Sequence, residues 1–134
     1  MIEFKGRSIS RGFAKGEAIV SREAISFFGG VNPDTGVIVE KGHVLEGKSI
    51  AGKILIFPGG KGSTVGSYII YRLAKNGLAP KAIVCIEAEP IVAVGAIISN
   101  IPMVDKVDEK IFEVISNGDI VEVDGDHGTV RCIK

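Results

Sequence analysis

The chain of 134 residues is long enough to bury a core without disulfides or metals, and its sixteen basic and sixteen acidic residues cancel. Neither sign forms a long block, which excludes the electrostatic footprint of a nucleic-acid or anionic-membrane binder. Hydrophobic residues make up 46% against 24% charged, a balance that fits either a surface covered by another protein or a Gly- and Val-rich sheet that buries these residues itself.

The N-terminal "MIEFKGRSIS" has no apolar signal core, and the longest apolar run, "PIVAVGAIIS", is too short to span a bilayer, so a soluble, cytoplasmic protein is expected. "AIVS" at 18–21, "AISFF" at 24–28 and "GVIVE" at 36–40 are β-forming and predict a β-rich lobe, with the turn cluster "GGVNPDTG" between the last two. "KILIFP" at 53–58 reads as a fully apolar strand. After Gly62 the spacing turns helical, with Val65, Ile69, Leu73 and Ala74 toward the core and Gly77 and Pro80 as the stop. "KAIVCIEA" at 81–88 is a second buried strand, which makes 53–88 a parallel strand–helix–strand crossover. "EPIVAVGAIISNIPMV" predicts a short helix and a brief strand at Met103 and Val104. "DEKIFEVISNGD" fits a short helix or a strand with a turn, and "DIVEVDGDHGTVRCIK" two alternating strands hinged at "DGDHG". Together these predict an α/β chain, a single domain over residues 1–134 with no linker or repeat: a β-rich lobe plus parallel strands with crossover helices.

Chemistry concentrates in "ILIFPGGKGSTVGSYIIYRLAKNG", residues 54–77. Gly59, Gly60 and Gly62 let the backbone turn tightly after a strand, so that amide groups and the positive end of the following helix face an anion, with Ser63 and Thr64 at that end. A single hydroxyl would suffice for a helix cap; three glycines, Lys61, two hydroxyls and Ser67 exceed that need. Gly62 separates Lys61 from Ser63, so the junction is not a nucleotide-hydrolase phosphate loop, and the glycine register does not match a dinucleotide fingerprint. Cys85 and Cys132 stand far apart in apolar runs and read as buried thiols rather than metal ligands. His43 and His127 read as ordinary structural or solvated histidines. Glu87 and Glu89 end a parallel strand, where ligands gather in open α/β sheets, and the loop with Asn32, Asp34 and Gly36 is a candidate to approach the same end.

"FPGGKGSTVGSYIIYRLAKNGLAPKAIVCIEAEPIVAVGAIISNIPMVDKV", with "GFAKGEAIVS", "ISFFGGVNPDTGVI" and "HVLEGKSIAGKIL", resembles the aconitase X swivel-domain family, the small subunits of archaeal phosphomevalonate dehydratases. The resemblance implies a swivelling β/β/α domain of the aconitase C-terminal type. It implies Ser63 as the catalytic base, with Gly60, Lys61, Gly62 and Thr64 binding a phosphorylated hydroxy acid, mevalonate 5-phosphate. It further implies a heterodimer or larger assembly in which the large subunit carries a 4Fe-4S cluster and this chain binds no cofactor. The chain's own residues fit that division, since two separated cysteines cannot supply the three thiolates of a cubane with one open iron. Mobile phosphohistidine domains share the architecture but place a histidine after the hydroxyl pair, where this chain has Val65. Related readings are a subunit of a hydroxyproline-type dehydratase and a non-catalytic swivelling domain.

Overall fold

The computed structural model describes residues 1–133; Lys134, the last residue of the expected terminal hairpin, lies outside the described residues. Eight strands form one hydrogen-bonded array. In chain order they are β1 (Ile2–Lys5), β2 (Arg7–Ser10), β3 (Phe13–Val20), β4 (Ile54–Phe57), β5 (Ala82–Cys85), β6 (Met103–Asp105), β7 (Ile120–Asp124) and β8 (Thr129–Ile133). The spatial order is β1-β8-β7-β3-β4-β5-β6-β2. The long strand β3 belongs to both halves: Phe13–Glu17 pairs antiparallel with β7, and Ala18–Val20 pairs parallel with β4.

The parallel strands β4 and β5 are buried along their whole length, as their unbroken Ile, Leu, Val and Phe content requires of strands covered on both faces. Leu55, Phe57, Ile83 and Cys85 pack into one core with helices α2 (Gly66–Lys75) and α3 (Pro90–Ile98). Ile54, Ile56, Ala82 and Val84 face a second core closed by Val121 and Val123 of β7 and Val130 and Cys132 of β8. The result is three layers, helices over a mostly parallel sheet over an antiparallel one, which is the expected β/β/α arrangement.

The β-rich lobe is not built as expected. Residues 24–28 and 36–40 are not strands; they contribute only single bridges, Ile25 to Gly60, Val31 to Ile38 and Val37 to Ser49. Ile25, Phe27, Val31, Ile38, Leu45 and Ile50 enter the helix-side core one at a time, between turns. Within them the short helical segment α1 (Phe27–Gly30) is broken by Gly29 at φ 86°. The antiparallel layer comes instead from β1, β8, β7 and β3.

The strands expected at 53–58 and 81–88 are present in shorter form, and "DEKIFEVISNGD" contains a single helical turn, α4 (Ile111–Val114), with Ile111 buried. Helix α2 starts at Gly66, not at Ser63 or Thr64. Its core residues are Ile69, Ile70 and Leu73; Val65, outside the helix, is exposed and Ala74 only half-buried.

Candidate functional site

The loop from Pro58 to Thr64 leaves the carboxyl end of β4, where open parallel sheets collect ligands. It is anchored on both sides. The Pro58 carbonyl accepts N–H bonds from Ile86 and Glu87, Ile25 N–H donates to the Gly59 carbonyl, and Lys61 N–H donates to the Ile25 carbonyl at 3.0 Å.

Neighbouring atoms dictate the glycines. A Cβ at Gly59 would stand 2.6 Å from the Glu87 carbonyl oxygen, and one at Gly60 would stand 2.6 Å from both Glu89 Oε1 and Val92 Cγ2. Gly62 has φ 96°, which L side chains rarely adopt, and its backbone lies against Ser26.

Ser63 follows directly. Its Oγ accepts the Val65 N–H at 3.1 Å, and its carbonyl accepts the Gly66 N–H at 3.0 Å. The half-buried serine therefore sits on the positive end of α2 with one amide already aimed at its hydroxyl oxygen. A donor in that position favours a negatively charged oxygen over a neutral one. Thr64 is exposed beside it. Ser67 bonds the Ile91 carbonyl and so ties α2 to α3 rather than facing the loop.

Lys61 projects into an open cleft of about 400 Å³ lined by Ser26, Phe28, Gly29, Gly30, Glu40 and Gly62. Its Nζ donates to Glu40 Oε2 at 3.0 Å, an ion pair with both side chains partly exposed. Glu40 in turn packs over Gly30, where a Cβ would approach its Oε1 to 3.3 Å. The structure thus brings Gly60, Lys61, Gly62, Ser63 and Thr64 into one loop and adds Ser26, Phe28 and Glu40, which the sequence reading missed. "FFGG" was a readable turn signal; nothing local marked Glu40 as the partner of a lysine twenty-one residues away.

Several other candidates have structural roles. Glu89 caps α3, accepting N–H bonds from Ile91 at 3.0 Å and Val92 at 2.8 Å. Glu87 pairs with Lys106 at 2.6 Å. His43 is buried, with Nε2 bonded to the Ala24 carbonyl and Nδ1 accepting the Leu45 N–H, both at 3.0 Å, so that it staples the irregular lobe. Asp34 does not reach the loop: it pairs with Arg72 at 2.9 Å, while the Pro33 carbonyl accepts from Asn76, so 32–36 docks on the far half of α2. A second cleft of about 320 Å³ lies at the amino end of β4 beside Glu17–Ile19 of β3, where Lys53 is already paired with Glu17 at 3.0 Å.

The thiols do not fit an iron-sulfur cluster. Cys85 belongs to the helix-side core and Cys132 to the opposite one, and burial raises the Cys85 pKa, which disfavours the thiolate a metal needs. Among the described residues no group of three or more His, Cys, Asp or Glu is placed to hold a metal ion.

Fold and loop together define a swivelling β/β/α domain that presents a serine on a Gly-rich turn at the start of a helix. The family model described as the aconitase X swivel domain matches residues 3–132, and the chain belongs to that family. It is similar to the phosphomevalonate dehydratase small subunit of Methanosarcina acetivorans, 58% identical over 99% of this chain and 92% of that one. It is likewise similar to the phosphomevalonate dehydratase small subunit of Methanocella arvoryzae, 60% identical over 97% of this chain and 98% of that one. The crystal structure of Thermococcus kodakaraensis aconitase X in its holo-form superposes with a TM-score of 0.95, at 55% identity and full coverage of both chains.

Proposed function

We propose that this chain is the small subunit of a phosphomevalonate dehydratase, a hydro-lyase that converts mevalonate 5-phosphate to trans-anhydromevalonate 5-phosphate in the cytoplasm once a large subunit is bound. The observation that carries the reading is the near-full-length match, at 58% and 60% identity, to two small subunits of that name. In this reading the 4Fe-4S cluster belongs to the large subunit, since this chain's two thiols lie in separate cores.

The groups of this chain have stated parts. Ser63 Oγ takes the proton from the carbon beside the substrate carboxylate, and the Val65 N–H and the start of α2 stabilise the oxygen in its charged form. Serine is a poor base in water, so the second subunit must exclude water from Ser63, next to Gly62 of the open cleft, before Ser63 can act. Lys61 offers an ammonium group to an anionic oxygen of the substrate, held over the cleft by Glu40. Gly60, Gly62 and Thr64 bring backbone and hydroxyl close to the same ligand.

The test is co-expression with the large subunit, anaerobic cluster reconstitution and an assay of mevalonate 5-phosphate beside a hydroxyproline-type substrate. Turnover of the first alone supports the proposal. Turnover of the second alone assigns the complex to the sister reaction, and a complex that turns over neither leaves the chain as a swivelling interaction domain.

A further inference from the structure

Helix α3 is unusual for a helix on the outside of a protein. Its nine residues, "PIVAVGAII", include no charged or polar side chain, in a chain where 24% of residues are charged. Val92 and Ala96 point into the core and Gly95 packs on Ile70 of α2, yet Val94, Ile97 and Ile98 remain 48%, 52% and 51% exposed. A helix that is apolar all round is normally buried all round.

The exposed side is continuous with α2. Gly66 and Ser67 touch Ile91, and Ile70 touches Gly95, so the two helices lie side by side. On α2, Tyr68 is 58% exposed, and Val65, 41% exposed, stands two residues from Ser63. The amino end of α3 packs on the loop, where Glu89 and the buried Val92 would meet a Cβ on Gly60. The exposed apolar side of α3 therefore starts beside the candidate loop, and the adjacent α2 adds the exposed Tyr68 ahead of its charged last turn, Arg72 and Lys75.

We infer that this α2–α3 face, centred on Val94, Ile97, Ile98 and Tyr68, is where the large subunit seats. The inference rests on the small-subunit reading above and adds the location. Contiguous exposed apolar surface marks a protein interface, and this surface adjoins a serine that needs a second subunit to exclude water. A partner seated here covers the charge-free helix and closes the Ser63 side of the loop in one contact. The matching surface on the large subunit is apolar, because a charge opposite α3 would be buried without a partner.

Binding of the full chain to the purified large subunit tests the inference. The variants are Val94→Lys, Ile98→Lys and Tyr68→Lys, with Phe13→Lys on β3 as control. The folding of each is checked by circular dichroism and by the amide NMR spectrum of the free chain. Each face variant is expected to weaken the complex at least about tenfold, while Phe13→Lys, 60% exposed on the antiparallel layer, binds as wild type. Folded face variants that bind undiminished overturn the inference, and so does a wild-type homodimer that the same lysines dissociate, since the face would then belong to a second copy. A complex that the lysines break but that leaves mevalonate 5-phosphate untouched supports the docking face while the dehydratase reading fails. Wild-type chain that binds no large subunit at all overturns both.

Discussion

Gly59, Gly60 and Gly62 are held by three different neighbours: the Glu87 carbonyl, the Glu89–Val92 corner of α3, and Ser26. Their common product is the position of Ser63. Gly60→Ala must push Val92 or Glu89 aside, and overpacking of this kind costs about 1–3 kcal/mol. Urea denaturation of the isolated chain checks that value, and a variant as stable as wild type would show that the corner yields freely. The loop's identity as a special junction was legible in sequence, because a surplus of glycines and hydroxyls after an apolar strand has few other uses. Its cleft partners were not. Glu40 and Ser26 reach Lys61 and Gly62 through tertiary folding, and such contacts leave no local spacing to read.

At the scale of elements, long apolar runs were read correctly and short ones were not. β4, α2, β5 and α3 each combine a strong pattern with a clear stop, and they appear in the expected order. The segments at 24–28 and 36–40 have β-forming residues, but no neighbouring strand offers them a ladder, so their apolar side chains enter the core from turns. The start of α2 moved for a different reason: Ser63 accepts the Val65 N–H and competes with helix geometry for the first turn. The β7–β8 hairpin was readable from its turn, and its charges make a pH prediction. Asp124 accepts His127 Nδ1 at 2.9 Å together with the backbone N–H groups of Asp126 and His127, and the His127 side-chain bond leads in lowering its pKa. A carboxylate lowered in the folded state stabilises above its unfolded pKa, about 3.9, and that contribution is lost as pH falls through the folded value. His127→Ala is expected to move the Asp124 pKa back upward, read from its carboxyl carbon shift by NMR, and to flatten the stability profile below about pH 4. An unchanged Asp124 titration would mean that its backbone donors suffice.

At the scale of the molecule, the first ten residues join the two layers, a role that the lack of a long apolar run concealed. β1 pairs with β8 at one edge of the array and β2 with β6 at the other. Arg7 of β2, itself exposed, reaches a buried carboxylate. Asp105, fully buried, accepts Arg7 at 2.9 and 2.8 Å and the Ala88 N–H at 2.9 Å, which ties the N-terminal segment to the loop behind Gly59. Deleting residues 1–10 strips both edges and strands Asp105 without its guanidinium, a loss expected to reach about 3 kcal/mol or more. Urea denaturation gives the value, and size-exclusion chromatography is expected to show aggregation through the opened edges. The same scale governs the proposed function, in which Ser63, next to an open cleft and an exposed apolar helix, supplies half of a site that the second subunit completes.

That claim is tested most directly by Ser63→Ala in the reconstituted two-subunit complex, with the dehydration rate of mevalonate 5-phosphate and the affinity between the subunits measured together. An intact complex with wild-type affinity and a turnover rate lower by at least about a hundredfold is expected. Full affinity with turnover near wild type would contradict it and move the base to another residue.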